Sequence, residues 1–360
     1  MGRHPRNLVG IDLFAGAGGM SLGARQAGVT VALAVEIDPH AGRTYKANHP
    51  GTDLFQKDIR HLTASKLRHF ADAKSPTIVF GGPPCQGFSY SNQRTRSSEN
   101  PQNWLFIEFL RVVRIVRPDW IVFENVKGIV DTAGGIFLEE VVDRLARLKY
   151  TTSHALLNAV DFQVPQNRAR FFLVGSRHGI KLEMPAPSTR RVLTVADAIS
   201  DLPVLENGAS VSWLPYRRAA LSQYARRLRE KLQRSPNHLV SNNAPTIIQR
   251  YPHVPPGGNW ESIPARLMRN YHDRSRCHTG IYHRLKADEP SVVIGNYRKN
   301  MLIHPAQDRG LSVREAARIQ SFPDHYEFCG SIGFQQQQVG NAVPPLLARA
   351  VFTSLMAYES

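Results

Sequence analysis

From residue 8 the chain alternates short β-branched apolar runs with stretches whose apolar positions recur at helical spacing. Leu8-Val9-Gly10-Ile11-Asp12-Leu13-Phe14 reads as a buried strand, 18–28 as a helix, Val31-Ala32-Leu33-Ala34-Val35 as a second strand and 38–48 as a second helix. Thr77-Ile78-Val79-Phe80 and Trp120-Ile121-Val122-Phe123 are two more buried strands. Between them a helix over 103–117 lines up Leu105, Phe106, Phe109, Leu110, Val113 and Val116, and a further helix is expected at about 136–148. Strand and helix in alternation predict the α/β class, a doubly wound, mostly parallel sheet with helices on both faces. Ligands of such sheets bind beyond the carboxyl ends of the strands, so chemistry belongs just after each apolar run.

After the first strand, Phe14-Ala15-Gly16-Ala17-Gly18-Gly19 forms a glycine loop opening a helix, where a backbone can approach a ligand closely. A dinucleotide fingerprint wants another glycine at position 21; Ser21 stands there, which counts against a nicotinamide dehydrogenase. Glu36 ends the second strand about 20 residues after the loop, where a ribose-binding carboxylate falls; a helix-start charge is the alternative. Following 77–80 comes Gly81-Gly82-Pro83-Pro84-Cys85-Gln86-Gly87. The prolines stiffen the backbone before a cysteine displayed on a turn, a better nucleophile candidate than a cysteine inside a strand. Glu124-Asn125-Val126 closes the next strand and brings a carboxyl within reach of the same pocket, where burial can keep it protonated as a donor.

Residues 178–300 are built differently. They hold 19 Lys+Arg against 9 Asp+Glu, +10 of the net +16 carried by the 360-residue chain. Tyr216-Arg217-Arg218 and the run 224–234, which reads as a basic helix, concentrate that charge; its density favours phosphate contact over a merely solvated face. Val254-Pro255-Pro256-Gly257-Gly258-Asn259-Trp260 is a turn cluster in an otherwise irregular region. With 42% hydrophobic residues the chain can bury a sizeable core, and its charge points to a polyanion, nucleic acid or an anionic membrane face, with a generic basic surface as the plain alternative.

The three cysteines, 85, 277 and 329, form no Cys-x-x-Cys pair, so neither a disulfide framework nor a cysteine-rich zinc site is expected. His278 and His283 beside Cys277 and Cys329 fit no ligand spacing, and no metal is expected. No apolar stretch approaches the roughly 18 residues of a membrane span, and Asp12 interrupts the one apolar segment near the N-terminus, which argues against a signal peptide and for a cytoplasmic protein.

These motifs, in this order, resemble the cytosine-5 DNA methyltransferases that use S-adenosylmethionine, over about 8–357. The order runs Asp12-Leu13-Phe14-Ala15-Gly16-Ala17-Gly18-Gly19, Glu36-Ile37-Asp38, Lys57-Asp58-Ile59, Pro83-Pro84-Cys85-Gln86, Glu124-Asn125-Val126 and Gln166-Asn167-Arg168-Ala169-Arg170. It closes with Arg314-Glu315-Ala316-Ala317-Arg318-Ile319-Gln320-Ser321-Phe322-Pro323 and Gln338-Val339-Gly340-Asn341-Ala342-Val343-Pro344-Pro345. The resemblance implies a Rossmann-like catalytic domain of residues 1–185 plus 325–360 and a smaller, irregular target-recognition domain at 186–324.

It also implies roles. Cys85 attacks C6 of a flipped cytosine in duplex DNA, Glu124 hydrogen-bonds N3 and the exocyclic amine, Arg170 holds O2 and Arg168 positions backbone or loop. Phe14, Gly16, Gly18, Glu36, Ile37, Asp58, Ile59, Pro83, Leu105, Asn341 and Val343 surround S-adenosylmethionine, which leaves as S-adenosylhomocysteine. Ser89, Arg94, Arg226, Arg227 and Arg229 touch DNA. Family members often carry Arg at the position of Gln102, which puts loop anchoring in question, not the chemistry. A bacterial, monomeric modification enzyme, with a restriction endonuclease in the same system but no stable complex, is the expected setting. An RNA cytosine methyltransferase on the same scaffold and a catalytically silent DNA-binding homologue are the competing readings. Independently of the family, Ser312-Val313-Arg314-Glu315 is a capping box, and Asn341 followed by Pro344 reads as another helix start.

Overall fold

The computed structural model of the protein describes residues 7–71, 75–84, 105–131, 136–271, 280–295 and 297–359. The chain forms two compact units, one of Met1–Phe162, Ala169–Ser188 and Pro345–Ser360, the other of Gln163–Arg168 and Thr189–Pro344.

In the first unit run β1 (Val9–Leu13), α1 (Gly19–Gln26), β2 (Thr30–Val35), α2 (Pro39–Asn48), β3 (Asp53–Phe55), α3 (Ala64–Ala71), β4 (Thr77–Gly81) and α4 (Leu105–Val116). Then come β5 (Trp120–Val126), α5 (Gly128–Asp131), α6 (Ile136–Arg147), β6 (Thr151–Asn158) and β7 (Ala169–Ser176). Among the described residues these strands make a seven-stranded sheet in the order β3-β2-β1-β4-β5-β7-β6. β1 lies parallel to both β2 and β4, β2 to β3 and β4 to β5, while β7 runs antiparallel between β5 and β6. The doubly wound, mostly parallel class is therefore as expected, and the chain reverses direction across the sheet between β1 and β4, the topological switch where ligands bind.

Alternation along the strands places helices on both faces. Val79 joins Ile11, Leu33 and Ile121 in a core with Phe106, Phe109 and Val113 of α4 and Leu145 of α6. Its neighbour Phe80 points the other way, edge-on to Phe352 of the C-terminal helix Pro345–Met356, 5.0 Å between ring centroids. Each such fully buried side chain contributes about 1.5–3 kcal/mol. The hairpin β6–β7 lies beyond the elements expected from the sequence: β6 alternates buried or half-buried with exposed positions over part of its length, and β7 opens on the polar motif around Arg168 before its buried run Phe171-Phe172-Leu173-Val174.

The second unit carries α7 (Val195–Ile199), β8 (Ser210–Pro215), α8 (Gln223–Arg229), β9 (Arg234–Leu239), α9 (Pro245–Ile248), α10 (Tyr297–Asn300), α11 (Val313–Ile319) and α12 (Ile332–Asn341), with β8 and β9 paired antiparallel. One small core gathers Tyr251, Val254, Ile263, Met268, Tyr282 and Ile303. The capping box at the start of α11 is present: Ser312 Oγ accepts from the Glu315 amide at 3.2 Å and Glu315 Oε2 from the Ser312 amide at 2.7 Å. Two expectations are corrected. The basic helix over 224–234 stops at Arg229, because Glu230 takes a left-handed φ of 52° and Arg234 already starts β9. Asn341 ends a helix instead of starting one; the next begins at Pro345, where proline's fixed φ suits the first turn.

Candidate active site

The residues singled out in the first unit follow the carboxyl ends of β1 to β5. After β1, Phe14 holds a left-handed φ of 62°, a conformation that costs a non-glycine residue about 1–3 kcal/mol and is typical of loops built around a ligand. Gly16 and Gly18 continue with φ of 55° and 90°, and a Cβ added at Gly16 would meet nothing within 4 Å, so this stretch of loop borders open space. Gly18 caps α1.

Glu36, at the end of β2, braces that loop. Its Oε2 accepts from the Gly16 amide and its Oε1 from the Asp38 amide, both at 2.7 Å. Burial raises its carboxyl above the ordinary value, against those amides, which lower it. The neighbouring Ile37 is 62% exposed, an apolar side chain left at the strand end. After β3, Asp58 caps a 3₁₀ turn and accepts from Arg60 Nε at 3.0 Å and Nη2 at 2.6 Å, which brings its carboxyl down to about 2. Ile59 is buried in the core, while Leu105, at the start of α4, packs against it half-buried.

Sequence reasoning missed what Ser21 does. Its hydroxyl donates to Asp12 Oδ2 at 2.6 Å and lies 2.8 Å from the Tyr45 hydroxyl. Burial pushes the Asp12 carboxyl up to about 8, with Ser21 opposing and Glu36 adding to the rise. The residue that breaks the dinucleotide fingerprint is thus the partner of a buried acid; the apolar run interrupted by Asp12 was the only hint.

After β4 and β5 the strand ends bring Gly82, Glu124 and Arg170 together. Glu124 Oε1 sits 3.0 Å from Arg170 Nε, a diagonal pair across β5 and β7, since the register sets Val126 opposite Arg170. Burial lowers the guanidinium's pKa and Glu124 draws it back up. A Cβ at Gly82 would fall 2.4 Å from Glu124 Oε2, so any side chain there would push the carboxylate from its place. Asn125 Nδ2 donates to the carbonyl of the buried Pro83 at 3.1 Å, fixing the segment that leads to Cys85. Cys85, Ser89, Arg94 and Gln102 lie outside the described residues.

The remaining candidates belong to the second unit. Arg168 is 1% exposed and held by its own chain, Asn341 is exposed, and Val343 is 9% exposed. Arg226 and Arg227 are exposed on α8. Arg229, on the same helix, turns inward: its guanidinium lies 3.8 Å from the Tyr216 ring centroid and donates to the carbonyls of Leu232 at 3.2 Å and Arg218 at 3.1 Å. Among the described residues no group of His, Cys, Asp and Glu could hold a metal ion, and no helix is long and apolar enough to cross a membrane.

Solved structures share this architecture. One assigned as a DNA modification methyltransferase encoded within an E. coli prophage superposes with a TM-score of 0.79 at 26% identity, covering 97% of this chain and 98% of that one. The S. pombe Dnmt2 methyltransferase has the same fold at a TM-score of 0.63 and 18% identity, over 98% and 99% of the two chains. Sheet, glycine loop and strand-end carboxylate thus define a Rossmann-like methyltransferase. Sequence narrows the class further: residues 8–357 match the C-5 cytosine-specific DNA methylases, and the chain belongs to that family, a DNA cytosine-5 methyltransferase. It is 38% identical to the Type II methyltransferase M1.HphI of Haemophilus parahaemolyticus over 97% of this chain and 87% of that protein. To M.XorII of Xanthomonas oryzae it is 35% identical, over 97% and 84%.

Proposed function

We propose that the protein transfers the methyl group of S-adenosylmethionine to C5 of a cytosine flipped out of a specific duplex DNA sequence, releasing S-adenosylhomocysteine. The observation that carries this reading is the Glu124–Arg170 pair, set at 3.0 Å over Gly82 and beside the Pro83 carbonyl that Asn125 anchors. A carboxyl and a guanidinium side by side match the polar edge of cytosine, Glu124 toward N3 and the exocyclic amine and Arg170 toward O2.

The residues present suit the methyl donor. The open space at Gly16, the Glu36 carboxyl braced for ribose hydroxyls, the exposed Ile37 and the Asp58 carboxylate fit an adenosine, with Phe14, Gly18, Ile59, Pro83 and Leu105 around them. Asn341 and Val343 are assigned to the same donor by their place in the motif Gln338-Val339-Gly340-Asn341-Ala342-Val343. Bound there, S-adenosylmethionine supplies a methyl group on a positively charged sulfur, ready to be taken by a carbon nucleophile.

Cys85 acts as a thiolate. Its sulfur bonds to C6 and the ring gains electron density at C5; Arg170 stabilises the charge that develops on O2, and Glu124 does so at N3 through a proton that it shares with the base. Once C5 has bonded to the methyl carbon, a base removes the C5 proton and the C6–S bond breaks, returning the thiolate. A thiol with an ordinary pKa of about 8.5 needs nearby positive charge, and Arg170 is the candidate.

Target recognition falls to residues of about 186–324, nearly all of them in the second unit, with the exposed Arg226 and Arg227 on phosphates, Arg229 supporting them, and Ser89 and Arg94 adding contacts. The names of M1.HphI and M.XorII favour a restriction–modification setting, with a monomeric cytoplasmic enzyme and a companion endonuclease. Methyl-labelled S-adenosylmethionine offered with duplex DNA or with tRNA tests the reading. Label enters DNA; label in tRNA alone, or in neither, would refute it.

A further inference from the structure

We infer that Arg168 is a positioning residue for Asn341, and so acts on the methyl donor and not on the cytosine. Arg168 Nη2 donates to the carbonyl of Gly340 at 2.7 Å and to that of Ala342 at 3.1 Å, the two residues that bracket Asn341. Nη1 donates to the Ile294 carbonyl at 3.1 Å. The last carbonyls of a helix have no partner within it and carry partial negative charge. α12 has no basic residue in its own last turn, and Arg168 supplies that charge from a distant part of the chain.

Its neighbours build the same clamp. Gln166 Oε1 accepts from the Ile294 amide at 2.9 Å, Gln166 Nε2 donates to Gln320 Oε1 at 2.9 Å, and Gln320 Nε2 donates to the Val339 carbonyl at 2.7 Å. The strap at 294–295 is pressed onto the helix end: a Cβ at Gly340 would fall 2.0 Å from the Gly295 carbonyl oxygen. Residues 339, 340 and 342 are thus pinned through their carbonyls, while Asn341 is exposed and borders a cavity of about 480 Å³ lined also by Gly295, Tyr297, Lys299, Phe334 and Gln337. Such a backbone sets where the Asn341 amide points. Two residues on, Arg170 instead pairs with Glu124 in the first unit, so the arginines of the Gln-x-Arg-x-Arg motif divide their work.

The inference rests on the proposed contact between Asn341 and the methyl donor. Calorimetric affinity for S-adenosylhomocysteine, measured on the full chain, tests it alongside kcat and KM for DNA. Asn341→Ala and Arg168→Ala each raise the Kd on the order of tenfold, the effect of losing a charge-assisted hydrogen bond. The double variant is no weaker than either single one, because both changes remove one device. Arg168→Lys, which keeps the charge and loses the fork, falls between. Should Arg168→Ala fail to fold, Arg168→Lys decides: a raised Kd at unchanged Tm supports the inference and an unchanged Kd overturns it. Wild-type affinity in Arg168→Ala with a collapsed kcat would place Arg168 on the substrate, and additive losses would separate it from Asn341. If the wild type bound no S-adenosylhomocysteine, the reading of the methyl donor itself would fall, a result distinct from these.

Discussion

Asp12 shows what one buried group does to the behaviour of the first unit. At 1% exposure its carboxyl keeps a proton up to about 8, whereas in the unfolded chain it titrates near the ordinary aspartate value. Because the folded state holds the proton more tightly, stability falls as pH rises from about 4 through about 8. Asp12→Asn keeps an acceptor for Ser21 and cannot ionise. Its Tm relative to wild type is therefore expected to rise between pH 5 and pH 9 by at least about 2–4 °C, on the order of 1 kcal/mol for a unit of this size; a difference independent of pH would contradict the assignment. Gly82 gives a second test. Alanine there drives a Cβ against Glu124 Oε2, so methylation should fall at least about a hundredfold, as for a misplaced catalytic group, while the Tm changes little. The position of Glu36 was readable from its spacing after the glycine loop. The partners of Arg168 were not, since Gly340 lies 172 residues away and offers only a backbone carbonyl.

At the level of elements, strands buried on both faces were legible and half-buried ones were not, save β7, whose buried run Phe171–Ser176 follows a polar motif. β2, β4 and the first four residues of β5 are apolar runs and β1 is one broken only by Asp12; β3 has three residues and β6 exposes alternate positions. α12 is hard to read from sequence because it buries Gln335, Gln336 and Gln338 and not an apolar stripe. α8 shows how charge can mislead. Replacing Arg226 and Arg227 by alanine should weaken binding to any duplex and lower the salt slope by about 0.9 for each phosphate no longer neutralised. Arg229→Ala should instead lower the Tm and leave the slope nearly unchanged, because its guanidinium lies against Tyr216 and the Leu232 and Arg218 carbonyls. Fluorescence anisotropy over a salt series separates the two. α11 holds the second unit through Arg318, fully buried between Asp201 at 2.8 Å and Asp324 at 2.6 Å. Asp324→Ala would strand Arg318 and Arg314 without that carboxylate and should cost about 3–5 kcal/mol in chemical denaturation.

Over the whole molecule the charge divides as the chemistry does. Residues 178–300 carry +10 of the net +16, and the first unit, less basic, gathers the strand-end carboxyls and the Glu124–Arg170 pair. The central claim is that this pair and Cys85 methylate C5 of cytosine in duplex DNA. Mass spectrometry of nucleosides from duplex DNA incubated with S-adenosylmethionine tests it most directly. 5-Methylcytosine is expected with the wild type and none with Cys85→Ala; its formation by Cys85→Ala, or methylation at another atom or base by the wild type, would contradict the account.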